Sequence, residues 1–129
     1  MRGISLLFIA VICLWACQPK DPVPRTALVL IQDTGIKLEL TPADAPVETP
    51  LNLQLTAENV LSVHAEIIGL SMYMGRIPVR FTRQQDLWHA EFLLGACSDP
   101  KMVWQLQLEL EFTDGKKRIL KQQFHSSWR

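Results

Sequence analysis

Residues 102–112 read Met-Val-Trp-Gln-Leu-Gln-Leu-Glu-Leu-Glu-Phe, and this stretch decides the fold. Apolar side chains occupy every second position from Met102, and all the intervening positions except Val103 are polar. Such alternation predicts a strand of an antiparallel sheet with one face in the core and the other in water. The residues that follow, 113–116, read Thr-Asp-Gly-Lys and predict a hairpin turn into a last strand that ends near Phe124.

The same alternation recurs in shorter stretches upstream of residue 102. Asp33-Thr34-Gly35 predicts a turn between two of them, and Pro42, Pro46 and Pro50 interrupt the next connection. No segment has the spacing of an amphipathic helix. We therefore predict an all-β domain, an immunoglobulin-like antiparallel β-sandwich of about seven or eight strands. The alternating upstream stretches are 36–41, 51–56, 63–67, 79–82 and 88–92, and residues 27–32 are predicted as a further strand before the turn at Asp33.

The N-terminus has the organisation of a secretion signal. A short positive segment, Met1-Arg2-Gly3, precedes an apolar run from Ile4 to Trp15. The small Ala16 follows, which is typical of a cleavage site. An apolar run of about a dozen residues is too short for a permanent membrane span, which needs about 20. We therefore interpret residues 1–16 as a removable signal peptide.

Leu14-Trp15-Ala16-Cys17 resembles the lipobox of bacterial lipoproteins. The resemblance implies cleavage before Cys17 and a lipid anchor on that cysteine, which would hold the protein to a membrane of the cell envelope, facing the periplasm. Gln18 replaces the Asp that favours inner-membrane retention in enteric lipoproteins, so the outer membrane is favoured. Residues 17–26 are rich in proline and charge and predict a tether. Residues 27–129 form the predicted domain.

The charge composition and the absence of known catalytic motifs argue against several classes of function. The chain balances 13 Lys and Arg against 13 Asp and Glu. It therefore lacks the excess of basic residues that is expected of a protein that binds nucleic acid. It also lacks a glycine-rich phosphate loop, a Gly-x-Ser-x-Gly elbow and a His-Glu-x-x-His zinc motif. We therefore expect no enzymatic activity and no nucleic-acid binding.

Soft sulfur ligands are concentrated in two stretches. Met72 and Met74 lie between Gly69 and Gly75, and at a spacing of two they point to one side if the segment is extended. Cys97 and Met102 lie in the second stretch. Since Cys13 leaves with the signal peptide and Cys17 carries lipid, Cys97 is a lone thiol in an oxidising compartment. Thioether and thiolate ligands select Cu(I).

A second interpretation of these residues stays open at the sequence level. Methionine and free cysteine also fill irregular gaps in apolar cores. Met102 begins an alternating stripe that has the character of core. Cys97, by contrast, precedes the polar Ser98-Asp99-Pro100. His64 is a further candidate donor for the metal, although it falls on the polar face of its strand.

The run Gly-x-x-Met-x-Met-Gly at Gly69–Gly75, together with the strands that follow, resembles the small immunoglobulin-like extracytoplasmic domains of the YtkA and FixH kind. The resemblance covers residues 51–124. It implies a β-sandwich and copper handling through Met72 and Met74, with a copper-trafficking or oxidase-assembly protein as partner. The chain departs from copper-binding members in lacking a His-rich stretch.

Two functional hypotheses follow. The first is a lipid-anchored, non-enzymatic protein that binds Cu(I) or assists copper delivery through Met72, Met74, Cys97 and Met102, with His64 as a further donor. The second is a metal-free envelope lipoprotein that acts as a protein–protein interaction module. The first predicts that these sulfurs lie together at a surface, and the second predicts that they are packed in the core.

Overall fold

The computed structural model describes residues 26–128. The predicted signal peptide, Cys17 and the tether before residue 26 lie outside this range. No helix between residues 26 and 128 is long and apolar enough to cross a membrane. The elements of this range are nine strands: β1 Leu28–Asp33, β2 Ile36–Thr41, β3 Leu51–Ala57, β4 Val60–Gly69, β5 Arg76–Val79, β6 Thr82–Gln84, β7 Leu87–Phe92, β8 Val103–Phe112 and β9 Lys117–His125.

The strands form two antiparallel sheets. One sheet has the order β1-β2-β3-β7-β6, and the other has the order β5-β4-β8-β9. Within them, β2-β3-β7-β6 corresponds to the A-B-E-D sheet of an immunoglobulin domain and β4-β8-β9 to its C-F-G sheet. The predicted all-β, immunoglobulin-like sandwich is therefore confirmed.

The strand count exceeds the predicted seven or eight because one predicted strand is two. The alternation over 79–82 suggested a single strand, but β5 ends at Val79 and pairs with β4, whereas β6 begins at Thr82 and pairs with β7 in the other sheet. Arg80 and Phe81 carry the chain between the sheets. Alternation continues through such a crossing, so it does not reveal the change of sheet.

The core lies between the inner faces of the two sheets. The alternating side chains of β8, from Trp104 to Leu110, are fully buried, as are the leucines of β2 and β3. The indole Nε1–H of Trp104 donates a hydrogen bond to the buried hydroxyl of Ser126 (3.0 Å). Within residues 26–128, all buried core residues lie between Leu30 and Phe124.

The two ends of the sandwich differ in their connections. One end, the turn end, carries the tight connections at 34–35, 58–59, 85–86 and 113–116. Gly35 and Gly115 have φ angles of 71° and 84°, which confirms both predicted turns. The other end, the loop end, carries the longer segments 42–50, 70–75, 93–102 and 126–128.

Candidate functional site

The loop end brings the two sulfur-bearing stretches together. The Leu70 N–H donates to the Val103 carbonyl (2.8 Å), which joins segment 70–75 to the start of β8. The Glu48 N–H donates to the Leu94 carbonyl (2.9 Å), which joins segment 42–50 to segment 93–102. Backbone hydrogen bonds thus fasten each of the two loops that carry the candidate ligands to a neighbouring part of the loop end.

Segment 70–75 folds back over the end of β4. A Cβ on Gly69 would collide with the carbonyl oxygen of Met72 and with the Cε methyl of Met102. Gly69 is therefore required for close approach, since only a residue without a side chain leaves room for both groups. This approach brings the first sulfur-bearing stretch against the second.

Met102 lies beneath the loops and belongs to the core. Its side chain is 1% exposed. The Ser71 hydroxyl donates to its sulfur (3.1 Å) and accepts the Val103 N–H (2.9 Å). A buried thioether that already accepts a hydrogen bond has the environment of a packed residue. Of the four candidate residues, Met102 is the one that is buried.

Met72 and Met74 occupy different environments. The expectation of an extended segment is not met, because β4 ends at Gly69 and β5 begins only at Arg76. Met72 is 40% exposed, whereas Met74 is half-buried and packs against the core. The Cε methyl of Met74 lies 3.5 Å from the position that a Cβ would take on Gly95. Met74 thus covers the loop that leads to Cys97.

Cys97 is half-buried in the second loop, at the edge of the core. Its thiol donates to the Asp99 carbonyl at 3.5 Å. The Asp99 carboxylate accepts the Lys101 N–H (2.9 Å) and so shapes the turn that follows. Cys97 therefore lies two residues beyond the glycine that Met74 covers, neither sealed in the core nor fully in solvent.

His64 lies apart from these sulfurs. It pairs with Glu109 in the β4–β8 register, while Gly69 pairs with Trp104. The five residues from His64 to Gly69 correspond to about 17 Å along a strand. The exposed His64 is also on the outer face of the sheet, whereas Met102 points into the core. The structure thus places His64 away from the loop end.

The candidate donors predicted from the sequence that lie at the loop end are all sulfur atoms. Within residues 26–128, no group of three or more His, Cys, Asp or Glu side chains is arranged to hold a metal ion. Any metal held there by Met72, Met74 and Cys97 would have two thioether ligands and one thiolate. Such a set suits Cu(I) and disfavours the hard cations, which need oxygen ligands.

Sequence reasoning missed two residues that shape this site. Ser71 links Met102 to β8, and Gly95 is the residue of the second loop that Met74 packs against. Their positions next to the candidate ligands were the only signal. The hydrogen bond from Ser71 to Met102 joins residues that are 31 positions apart, so it depends on the fold. No local sequence pattern indicates it.

The chain matches no family model and no curated protein. It is similar to a solved structure, a DUF4785 family protein from Legionella pneumophila, with a TM-score of 0.50 and 16% sequence identity. The similarity covers 73% of this chain and 29% of the Legionella protein, so the chain spans less than a third of its neighbour's length. At this identity, the likeness supports the β-sandwich fold alone.

Proposed function

We propose that the chain is a lipid-anchored envelope protein, held by Cys17 and facing the periplasm, whose sandwich binds one Cu(I) at the loop end. The function is non-enzymatic: it keeps or delivers copper, with a copper-trafficking or oxidase-assembly protein as partner. The observation that supports it is the convergence of the two sulfur-bearing loops, in which Met74 covers Gly95 just ahead of Cys97.

In this proposal Met72, Met74 and Cys97 are the ligands and Met102 is their support. The three ligand residues are exposed or half-buried, as required of a site that receives and releases its metal. Met102 holds Ser71 and fills the space under Gly69. His64 has no part in the site, because it lies at another level of the sandwich.

The cellular location of the protein is part of the same proposal. The lipobox resemblance at residues 14–17 supports lipidation of Cys17, and Gln18 favours the outer membrane. An oxidising compartment suits a lone thiol that is held as a metal ligand, because a bound thiolate is less free to form a disulfide with another chain.

A Cu(I) titration tests the metal site. The chain from residue 17 with Cys17→Ser, kept under reducing anaerobic conditions, should take about one equivalent of Cu(I) from a colorimetric chelator. Cys97→Ser combined with Met74→Leu should weaken the affinity by about 100-fold or more, since even loss of an outer-shell partner costs 10–100-fold.

The matched control is Met102→Leu, which removes a sulfur of the same cluster from the core. It should leave the Cu(I) affinity within a few-fold of the unchanged chain, because Met102 is packing in this proposal. Retention of full affinity by the Cys97→Ser and Met74→Leu double variant would contradict the site.

A second candidate function is a metal-free module that recognises another envelope protein. The observation in its favour is the exposure of Leu70, Tyr73 and Leu93 on the same loops. It predicts no Cu(I) uptake by the unchanged chain. The titration therefore separates the two candidates.

A further inference from the structure

Exposed apolar side chains are concentrated at the loop end. Tyr73 is 79% exposed, Leu93 is 55% exposed and Trp128 is 51% exposed. Leu70 and Met72 add to them from the segment that carries Tyr73. The four connections of the turn end, by contrast, consist of glycine and polar or charged residues. The connections at the loop end thus carry exposed large apolar side chains, whereas the four connections at the turn end carry none.

The loop end is also where the chain enters the domain. The Ala43 N–H donates to the Thr26 carbonyl (2.8 Å), which fastens the first described residue to segment 42–50. Cys17 precedes Thr26 by nine residues. A proline-rich chain advances about 3.1 Å per residue, so a tether of nine residues in that conformation spans about 28 Å.

This reach decides which end of the domain is nearer to an anchoring membrane. The ten residues of β8 span about 31 Å from the loop end to the turn end. A tether of about 28 Å that is attached at the loop end cannot bring the turn end to the bilayer as readily as the loop end. With Cys17 lipidated, the shortest arrangement of the tether places the loop end next to the lipid.

The chemistry of the exposed residues suits the bilayer interface. Tyr73 is the chain's single tyrosine, and tyrosine and tryptophan concentrate where hydrocarbon meets water because their rings are apolar and their polar atoms stay hydrated. The charges on the loop segments are Asp44, Glu48 and Asp99 against Lys101. This acidic balance disfavours attraction to anionic lipids, so apolar contact must provide the adhesion.

We infer that the loop end is a membrane-contact surface, on which Tyr73, Leu93, Trp128 and the neighbouring Leu70 rest in the interface of the bilayer that holds Cys17. The inference rests on the lipid anchor of the proposed function and is independent of copper. It fixes the orientation of the domain, with the sulfur-bearing loops towards the lipid and the turn end towards the periplasm.

Vesicle partitioning of the unlipidated chain tests the surface apart from the anchor. The chain from residue 17 with Cys17→Ser should cosediment with phosphatidylcholine vesicles, with little dependence on salt. Tyr73→Ser combined with Trp128→Ser should lower the partition coefficient by about tenfold, because two large apolar contacts are lost. Both side chains are exposed, so neither change removes a core contact.

The matched control is Leu61→Ser combined with Ile119→Ser. These side chains are 63% and 58% exposed and lie in the half of the sandwich near the turn end, so partitioning should not change. The inference would be overturned if both double variants lost partitioning equally. It would also be overturned if the unchanged chain did not partition measurably, or did so only with anionic lipid. The mass of the mature full chain reports separately whether Cys17 carries lipid, so failure of the anchor is distinguishable from failure of the surface.

Discussion

At the residue scale, Gly69 links the fold to the candidate site. The strand β4 ends there because segment 70–75 turns back across it, and the Met72 carbonyl and the Met102 methyl occupy the space of a side chain. Gly95 is in the facing loop and has only an ordinary contact with Met74. Substitution of Gly95 is therefore a matched control for substitution of Gly69.

Gly69→Ala should destabilise the domain by about 1–3 kcal/mol, which is typical when a methyl group is forced into packed surroundings. Part of the clash is with the backbone carbonyl of Met72, which cannot move aside by a change of rotamer as a side chain can. Gly95→Ala should change stability by less than about 0.5 kcal/mol, since its Cβ would meet Met74 at a normal distance. Urea unfolding of the three chains measures both values, and equal stability of the two variants would contradict the packing described for Gly69.

The residue scale is also where prediction from sequence was weakest. Alternation placed Met102 on the core stripe but did not decide between core and ligand, and burial now identifies it as packing. The pairing of Met72 with Met74 assumed an extended segment, whereas the chain bends there. Residue spacing gives side-chain direction only inside a regular element, and these residues are in a loop.

At the element scale, an ion pair joins the β1–β2 turn to β9. The Arg118 guanidinium contacts the Asp33 carboxylate, and the Thr34 N–H donates to the same carboxylate (2.7 Å). The hydrogen bond from the Thr34 backbone, followed by Arg118, lowers the pKa of Asp33 below its usual value of 3.8. The pair links edge strands of the two different sheets.

The lowered pKa of Asp33 determines how the stability of the domain changes with pH. A carboxyl group with a lower pKa in the folded state contributes stability above its unfolded pKa of about 3.9, and that contribution is lost as the pH falls through the folded value. Asp33→Asn should therefore lower the urea midpoint slightly at pH 7, and the difference should shrink below about pH 4. A difference that grew on acidification would contradict this account.

Most strands could be predicted because each has one buried and one wet face. The predicted stretches 36–41 and 51–56 match β2 and β3 to within one residue, and 102–112 matches β8 equally well. The crossing at Arg80 and Phe81 could not be predicted, because the pattern of buried faces does not state which sheet a strand joins. The pairing of strands depends on contacts far apart in sequence.

At the scale of the whole molecule, the two ends of the sandwich have different chemistry. The connections of the turn end are polar, whereas the loop end combines exposed apolar residues, the exposed Met72 and the entry of the chain at Thr26. With an anchor at Cys17, the copper site and the membrane-contact surface would share one end. Copper exchange would then take place beside the bilayer, within reach of a partner embedded in the same membrane.

The central claim is that Cu(I) binds to sulfur at the loop end. Copper K-edge X-ray absorption of the chain from residue 17 with Cys17→Ser, loaded with one equivalent of Cu(I), tests it directly. The account predicts a first shell of sulfur alone, which persists in Met102→Leu and loses sulfur in Cys97→Ser. A shell of nitrogen or oxygen, or a spectrum that does not change in Cys97→Ser, would contradict it.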